Sequence, residues 1–198
     1  MLIHLKKTYE GTFSPADPEA HYQTKWQERC DKSWIVNGLR HIDISTCTLK
    51  NSILIIDEDD WEYVKEFTWT PKSNKTSIYA VSNNKRRIYI HRQLIRARAG
   101  EYVDHIDGNG LNNSKRNLRI CTNTQNQYNR KNGYGKSKYK GVMPIITKSM
   151  GIRYKSYITV SGRRISLGTY SKEIDAAKSY NDAAIRYFGK FARGNILT

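Results

Sequence analysis

Hydrophobic and polar positions divide the chain into short helices and strands separated by polar turns. A helix is expected over about residues 19–30, where acidic residues follow a proline. The pair Asn37-Gly38 lies between two runs of alternating apolar and polar residues, which predicts a tight hairpin. Residues 52–70 have the pattern of a buried strand followed by an acidic helix start and a helix. Short elements of both kinds indicate the α+β class.

The middle of the chain shows the order strand, loop, strand, helix within about thirty residues. The runs EYVDHI and NLRIC alternate in polarity and are expected to be strands. Between them, DGNGLNNSKRN is rich in asparagine and glycine, a composition typical of turns. Thr122 or Asn123 can cap the helix that follows.

The last sixty residues form a second pattern. KYKGVMPII, IRYKSYITV and RRISLGTY are strand-like runs, and Ser161-Gly162 marks the turn between the second and the third. Ser171 is expected to cap a helix, KEIDAAKSYNDAAIRYF, whose alanines allow close approach to a sheet. These residues predict a three-stranded antiparallel sheet covered by one helix.

The charge of the chain indicates what kind of partner it binds. The 198 residues include 34 Lys plus Arg and 18 Asp plus Glu, a formal net charge of +16. The entire positive excess falls after Asn83, where it is interleaved with apolar positions of strands and helices. A folded basic surface of this kind favours nucleic acid as the partner.

Several classes of protein are excluded by composition. The longest aliphatic run, at residues 53–56, is far shorter than the ~20 apolar residues that a membrane-spanning helix needs, and the amino terminus lacks the apolar stretch of a secretory signal. Three widely spaced cysteines without a Cys-x-x-Cys pair argue against a disulfide framework and a zinc finger. Reduced thiols are expected at all three positions.

Candidate chemistry lies in the strand, loop, strand, helix segment. Asp104 and His105 are neighbours on a predicted strand, so their side chains point to opposite faces. Asn126, one turn into the following helix, can return to the Asp104 carboxylate. One charged and one neutral oxygen ligand suit a hydrated Mg²⁺ ion, and a neutral histidine beside it suits a general base. The alternative is a turn-rich loop in which the aspartate only caps backbone groups.

The stretch VDHIDGNGLNNSKRNLRICTNTQNQYNR resembles the ββα-metal motif of HNH endonucleases of the phage and intron-encoded homing type. Together with IDEDDWEYVKEFTW and YIHRQLI, the resemblance covers residues 48–130. It implies that Asp104 and Asn126 bind the metal, that His105 activates water, and that Asn117 holds the loop and so orients His105. It also implies Mg²⁺ as the cofactor, with Mn²⁺ as a substitute.

The segment from about 138 to 196 resembles the plant Apetala-type, or ethylene-response-factor, DNA-binding domain. The resemblance rests on YKGV, LGTY and the helix repeats DAAKSYNDAA. In that family the sheet enters the major groove of DNA while the helix packs behind it. By position, it implies DNA contacts from Lys140, Arg153, Tyr154, Lys155, Arg163 and Arg164.

The resulting domain prediction has four parts. These are an N-terminal region of unassigned role (1–47), an HNH nuclease domain (48–130) with its ββα-metal motif at about 101–130, a basic linker (131–137) and a separate DNA-binding domain (138–198). The expected fold is α+β, a ββα-metal core beside a sheet-plus-helix module.

The predicted function is that of a site-directed HNH homing endonuclease that hydrolyses phosphodiester bonds in double-stranded DNA. One such motif per chain predicts nicking of one strand by a monomer, with no obligate protein partner and no membrane. The expected location is the cytoplasm of a bacterial host or phage-infected cell. A catalytically inactive DNA-binding regulator and a structured-RNA nuclease are the alternatives. His91 is expected to pack structurally, with a phosphate contact as the alternative.

Overall fold

The structure, a computed structural model, describes residues 18–74, 76–83, 87–131, 135–147 and 151–198. Its helices are α1 (Pro18–Asp31), α2 (Trp61–Val64), α3 (Ile90–Leu94), α4 (Asn123–Tyr128) and α5 (Glu173–Phe188). Single 3₁₀ turns occupy Glu58–Asp60, Lys115–Asn117 and Gly189–Phe191. None of the described helices is both long and apolar enough to cross a membrane.

The strands form small antiparallel sheets, which agrees with the expected α+β class. They are β1 (Trp34–Val36), β2 (Leu39–Asp43), β3 (Ile53–Asp57), β4 (Thr70–Ser73), β5 (Ile78–Ser82), β6 (Ile88–Tyr89), β7 (Tyr102–His105), β8 (Leu118–Cys121), β9 (Val142–Thr147), β10 (Gly151–Val160) and β11 (Arg163–Tyr170). The sheet orders are β1-β2-β3, β4-β5-β6, β7-β8 and β11-β10-β9. Packing divides the chain into two compact units, one ending at Ile90 and one beginning at His91.

The first unit contains the predicted Asn-Gly hairpin. Asn37 and Gly38 connect β1 and β2 with φ angles of 51° and 74°, the left-handed pair that a two-residue hairpin turn requires. Strand β3 pairs with β2 along its whole length, so this sheet crosses the domain boundary expected at residue 47. The predicted helix after β3 is shorter than expected, since a 3₁₀ turn precedes the single turn of α2.

The core of this unit includes alternating positions on β2 and β3. Ile42, Leu54 and Ile56 are fully buried, as period-two alternation predicts. Trp69 is also fully buried, and its Nε1 donates to the Val64 carbonyl at 2.9 Å, so the indole N–H is not left unsatisfied. All three cysteines of the chain are free thiols, as predicted.

In the second unit, α5 covers one face of the sheet β9-β10-β11, as predicted. Alanines Ala176, Ala177 and Ala184 are buried beneath the helix, because small side chains let the helix axis approach the strands. Ile158 of β10 packs in the same cluster as Ala184. The helix begins one residue later than expected, with Lys172 at the N-cap position in place of Ser171.

The strand, loop, strand, helix segment packs in the same unit as the C-terminal sheet. The ring of Tyr128, at the end of α4, stacks on Phe188 with centroids 3.7 Å apart. Lys140 Nζ donates to the carbonyls of Tyr128 and Arg130 at 2.7 and 3.0 Å. The sequence predicted two separate domains, whereas this packing places both parts in one unit. Residues 132–134 of the expected linker lie outside the described residues.

A pair of glycines tests the packing of this sheet. Gly141 and Gly162 both have positive φ, but a Cβ on Gly141 would overlap the Tyr180 ring and lie 2.6 Å from the Tyr157 carbonyl oxygen, whereas one on Gly162 meets open space. We expect Gly162→Ala to lower the free energy of unfolding by about 1–2 kcal/mol through backbone strain alone. Gly141→Ala should lower it by about 3–5 kcal/mol, because overpacking adds to the strain. Equal losses in chemical denaturation would contradict this packing.

Candidate active site

The β7-β8 hairpin places Asp104 directly opposite Arg119. Asp104 is buried at 4% exposure, and both of its oxygens accept hydrogen bonds. Oδ2 accepts from Nε and Nη2 of Arg119 at 2.8 and 2.5 Å, and Oδ1 accepts from Asn129 Nδ2 at 2.8 Å. The carboxylate is therefore held in one orientation by an ion pair on one side and an amide on the other.

His105 lies next to Asp104 and is also buried. Its Nε2 is 3.2 Å from the side-chain oxygen of Asn113, which is itself fully buried. Because a carbonyl oxygen only accepts, this bond requires the hydrogen on Nε2, and Nδ1 is then the unprotonated nitrogen of the neutral ring. Burial lowers the pKa of His105 below its usual value, so the ring is neutral at pH 7.

His91, at the start of the second unit, packs edge-on against His105. The ring centroids are 5.1 Å apart and the planes meet at 77°. Burial is the main cause that lowers the pKa of His91 to about 3, and the neighbouring His105 and Arg92 act in the same direction. A neutral, buried His91 agrees with the expected packing role.

Asn117 closes the loop between β7 and β8. Its Oδ1 accepts from the backbone N–H of Asp107 at 3.0 Å, and its Nδ2 donates to Asp107 Oδ1 and to the Asn112 carbonyl at 2.9 and 2.8 Å. The backbone carbonyl of Asn117 also accepts from Ile106 at 2.9 Å. This side chain therefore connects the two ends of the loop.

Helix α4 begins at a capping box formed by Thr122 and Gln125, which agrees with the expected start. Asn126 lies half-buried in this helix, and Asn129 follows three residues later, which places the two on one face. The amide that reaches Asp104 is that of Asn129, which also donates to the His105 carbonyl at 2.7 Å.

The sequence reasoning missed four residues that this geometry brings together: Asp107, Asn113, Arg119 and Asn129. The sequence contains these residues, but only the fold shows that they lie close together. Asn129 shares a helical face with Asn126, and Arg119 becomes a partner of Asp104 only through the strand register. Asn113 and Asp107 are ordinary loop residues in the sequence.

The oxygen donors here fit a hard divalent cation. Across the described ranges, no cluster of three or more His, Cys, Asp and Glu side chains is placed to hold a metal. Asp104 supplies one buried carboxylate, which accepts a hydrogen bond from the amide of Asn129. Mg²⁺ is commonly bound through one or two carboxylates and keeps several waters, so these donors suit Mg²⁺.

The expected DNA-contact residues lie on different faces of the C-terminal sheet. Register and side-chain alternation place Arg153, Lys155 and Arg164 on the face away from α5, where Arg164 Cζ lies 4.3 Å from the ring centroid of Tyr157. Tyr154 instead packs against the buried cluster under α5. The sequence had favoured Tyr154 as the contact, and the outward tyrosine is Tyr157.

The remaining two residues differ in exposure. Arg163 is exposed beside the Ser161-Gly162 turn. Lys140 is partly buried because its amine bonds to carbonyls at the end of α4, and burial lowers its pKa to about 8. The amine of Lys140 is therefore used in hydrogen bonds within the protein.

The strand, loop, strand, helix segment that carries the candidate active site also matches a known protein family. The HNH endonuclease family matches residues 97–128, which contain Asp104, His105, Asn117 and Asn126. An uncharacterized HNH endonuclease of Acanthamoeba polyphaga mimivirus is 31% identical over 149 residues, covering 74% of this chain and 76% of the relative. The chain belongs to the HNH endonuclease family. Membership in the HNH family makes it a nuclease, a hydrolase that acts on nucleic acid.

The histidine pair at the HNH motif gives a pH prediction. Between pH 6.5 and 3, the unfolded chain takes up a proton at His91 that the folded chain does not, so stability should fall as the pH falls. From pH 7.5 to 5.0 this amounts to about 2 kcal/mol. In urea unfolding at both pH values, His91→Leu should reduce the difference by that amount. An unchanged difference would show that His91 is protonated in the folded state.

Proposed function

We propose that this protein is a site-directed DNA endonuclease of the homing type that hydrolyses phosphodiester bonds with His105 as the general base. The observation that carries this proposal is the state of His105. Its ring is neutral, buried and fixed by Asn113 with Nδ1 as the basic nitrogen, and it lies beside the buried carboxylate of Asp104. A base with a set tautomer next to an oxygen ligand suits hydrolysis of a phosphate ester.

In this mechanism, His105 Nδ1 accepts a proton from the attacking water. The water oxygen forms a bond to phosphorus, and the bond between phosphorus and the 3′-oxygen breaks. The 3′-oxygen leaves with a proton from solvent, so the products are a 5′-phosphate and a 3′-hydroxyl. Asn113 keeps the hydrogen of the free base on Nε2, and Asn117 holds the loop that carries both residues.

Asp104 and Asn126 are proposed to hold one Mg²⁺ ion, with Mn²⁺ as a substitute. When bound, the ion stabilises the negative charge that develops on the phosphate. Asn129 and Arg119 orient the Asp104 carboxylate. Asn126 lies on the same face of α4 as Asn129, which supports its assignment.

The C-terminal sheet is proposed to bind double-stranded DNA as an Apetala-type module over residues 138–198. Support comes from its outward face, where Arg153, Lys155, Arg164 and Tyr157 form a basic and aromatic surface. Such a surface suits phosphate contacts and the edges of bases in the major groove. Arg163 pairs with Val160 and so lies on the other face of the sheet, exposed beside the turn. A monomer with one HNH motif would nick one strand.

Plasmid cleavage tests the catalytic assignment. We expect the wild type to convert supercoiled plasmid carrying DNA of the source genome to nicked circles with Mg²⁺ and not with EDTA. His105→Ala should lower the rate at least about 100-fold, because general base catalysis is lost. DNA affinity should stay close to that of the wild type. Tight DNA binding without cleavage by any divalent ion would identify a regulator, and preferential cleavage of a structured RNA would identify an RNA nuclease.

Salt dependence of DNA binding tests the sheet. Arg153→Ala combined with Lys155→Ala should make the slope of log K against log salt shallower by about 1.8, if each side chain neutralises one phosphate. Lys178→Ala removes the same kind of charge from the exposed side of α5 and is the control. An equal change in the control would mean that total charge, and not this face, governs binding. Fluorescence anisotropy at several salt concentrations measures both.

A further inference from the structure

The segment that follows α5 contacts the nuclease site at two points. The carbonyl of Lys190 accepts a hydrogen bond from Arg119 Nη1, and the Phe191 ring lies 4.3 Å from Arg119 Cζ. The guanidinium of Arg193 donates to the carbonyl of Asp107 at 3.2 Å through both terminal nitrogens. Lys190, Phe191 and Arg193 are each more than seventy positions away from these partners in sequence.

Arg119 connects this segment to the reaction centre. Its Nε and Nη2 bind Asp104, while its Nη1 and its planar face are bound by Lys190 and Phe191. Phe191 is itself buried at 7% exposure. A guanidinium held on three sides cannot rotate freely, so the Asp104 carboxylate that it binds is also held.

We infer that residues 189–193 are part of the nuclease site, with Phe191 and Arg119 as positioning residues that fix Asp104 for cleavage. The inference rests on the proposed nuclease function and extends it. Phe191 acts on Asp104 through Arg119 and does not touch the substrate. The sheet-plus-helix module therefore supplies structure to the HNH motif and is more than a DNA-binding attachment.

Variants that conserve charge separate positioning from electrostatic attraction of the metal. In the full chain, Phe191→Leu keeps an apolar side chain but removes the flat ring face, and Arg119→Lys keeps the charge but loses the planar fork. Phe191→Tyr keeps the ring face and should recover most of the kcat and Mn²⁺ affinity that Phe191→Leu loses. Ile158→Val removes a methyl group from the cluster under the same helix, with no part in the Arg119 contacts, and is the control for stability.

Two readouts are needed, nicking kinetics and Mn²⁺ binding measured by electron paramagnetic resonance. We expect Phe191→Leu and Arg119→Lys each to lower kcat and Mn²⁺ affinity by about tenfold, the range found when partners of a metal ligand are changed. KM for DNA should stay within about twofold, because the outward face of the sheet is unchanged. The double variant should lose little more than either single variant, since both break one connection.

The outcomes separate this inference from the proposed function. If the wild type cleaves and Phe191→Leu retains its kcat and Mn²⁺ affinity, the inference is overturned and the nuclease assignment stands. If Ile158→Val loses as much as Phe191→Leu, the effect follows stability and the inference is also overturned. If the wild type does not cleave, the proposed function fails. In that case Mn²⁺ binding alone tests the inference. Weaker binding by Phe191→Leu than by the wild type supports a positioning role, whereas equal binding, or no binding by either protein, overturns the inference.

Discussion

A carboxylate removed from water needs hydrogen-bond donors around it. In the second unit, several elements are arranged so that they supply these donors to Asp104. An isolated buried charge costs far more than any single contact returns. The register of β7 and β8 places Arg119 opposite Asp104. The start and length of α4 place Asn129 within hydrogen-bond distance of the same carboxylate. The hairpin, the capped helix and the segment after α5 are therefore tied to one side chain.

The same requirement explains why the loop between β7 and β8 is so dense in asparagine. A short loop that turns back on itself exposes backbone N–H and C=O groups that need partners. Asn117 and Asp107 supply them from within the loop, and Asn113 extends the network to the imidazole of His105. The asparagines of the loop look alike in the sequence, but each has its own partners. Asn113 is the one that sets the tautomer of His105.

Local patterns were sufficient to predict most elements, whereas the candidate residues of the HNH motif depended on the resemblance to that family. The Asn37-Gly38 hairpin, the three C-terminal strands and the capped α4 follow from rules that act over a few residues. What could not be predicted depends on register and on distant contacts. Strand alternation alone did not show that a bulge between Ser156 and Tyr157 separates the pairing of β10 into two parts, or that Tyr154 faces inward.

The assumed separation of nuclease and sheet also failed to anticipate long-range packing. A basic stretch between two patterns resembles a linker, but the stacking of Tyr128 on Phe188 has no local signature. Contacts between residues sixty positions apart are decided by tertiary structure. The boundary at residue 47 was drawn from the extent of the family resemblance and the linker at 131–137 from composition, and neither carries information about which surfaces meet.

Gly108 illustrates a further consequence of this packing. It follows Asp107 with a φ of +72°, and a Cβ at this position would overlap the guanidinium of Arg193. Asparagine often tolerates such a backbone conformation in a loop, but here any side chain would displace Arg193 from the Asp107 carbonyl. Among relatives, positions 108 and 193 should therefore vary together. Lineages with arginine at 193 should keep glycine at 108, and asparagine, which tolerates this backbone conformation, should occur at 108 only where 193 is a small residue.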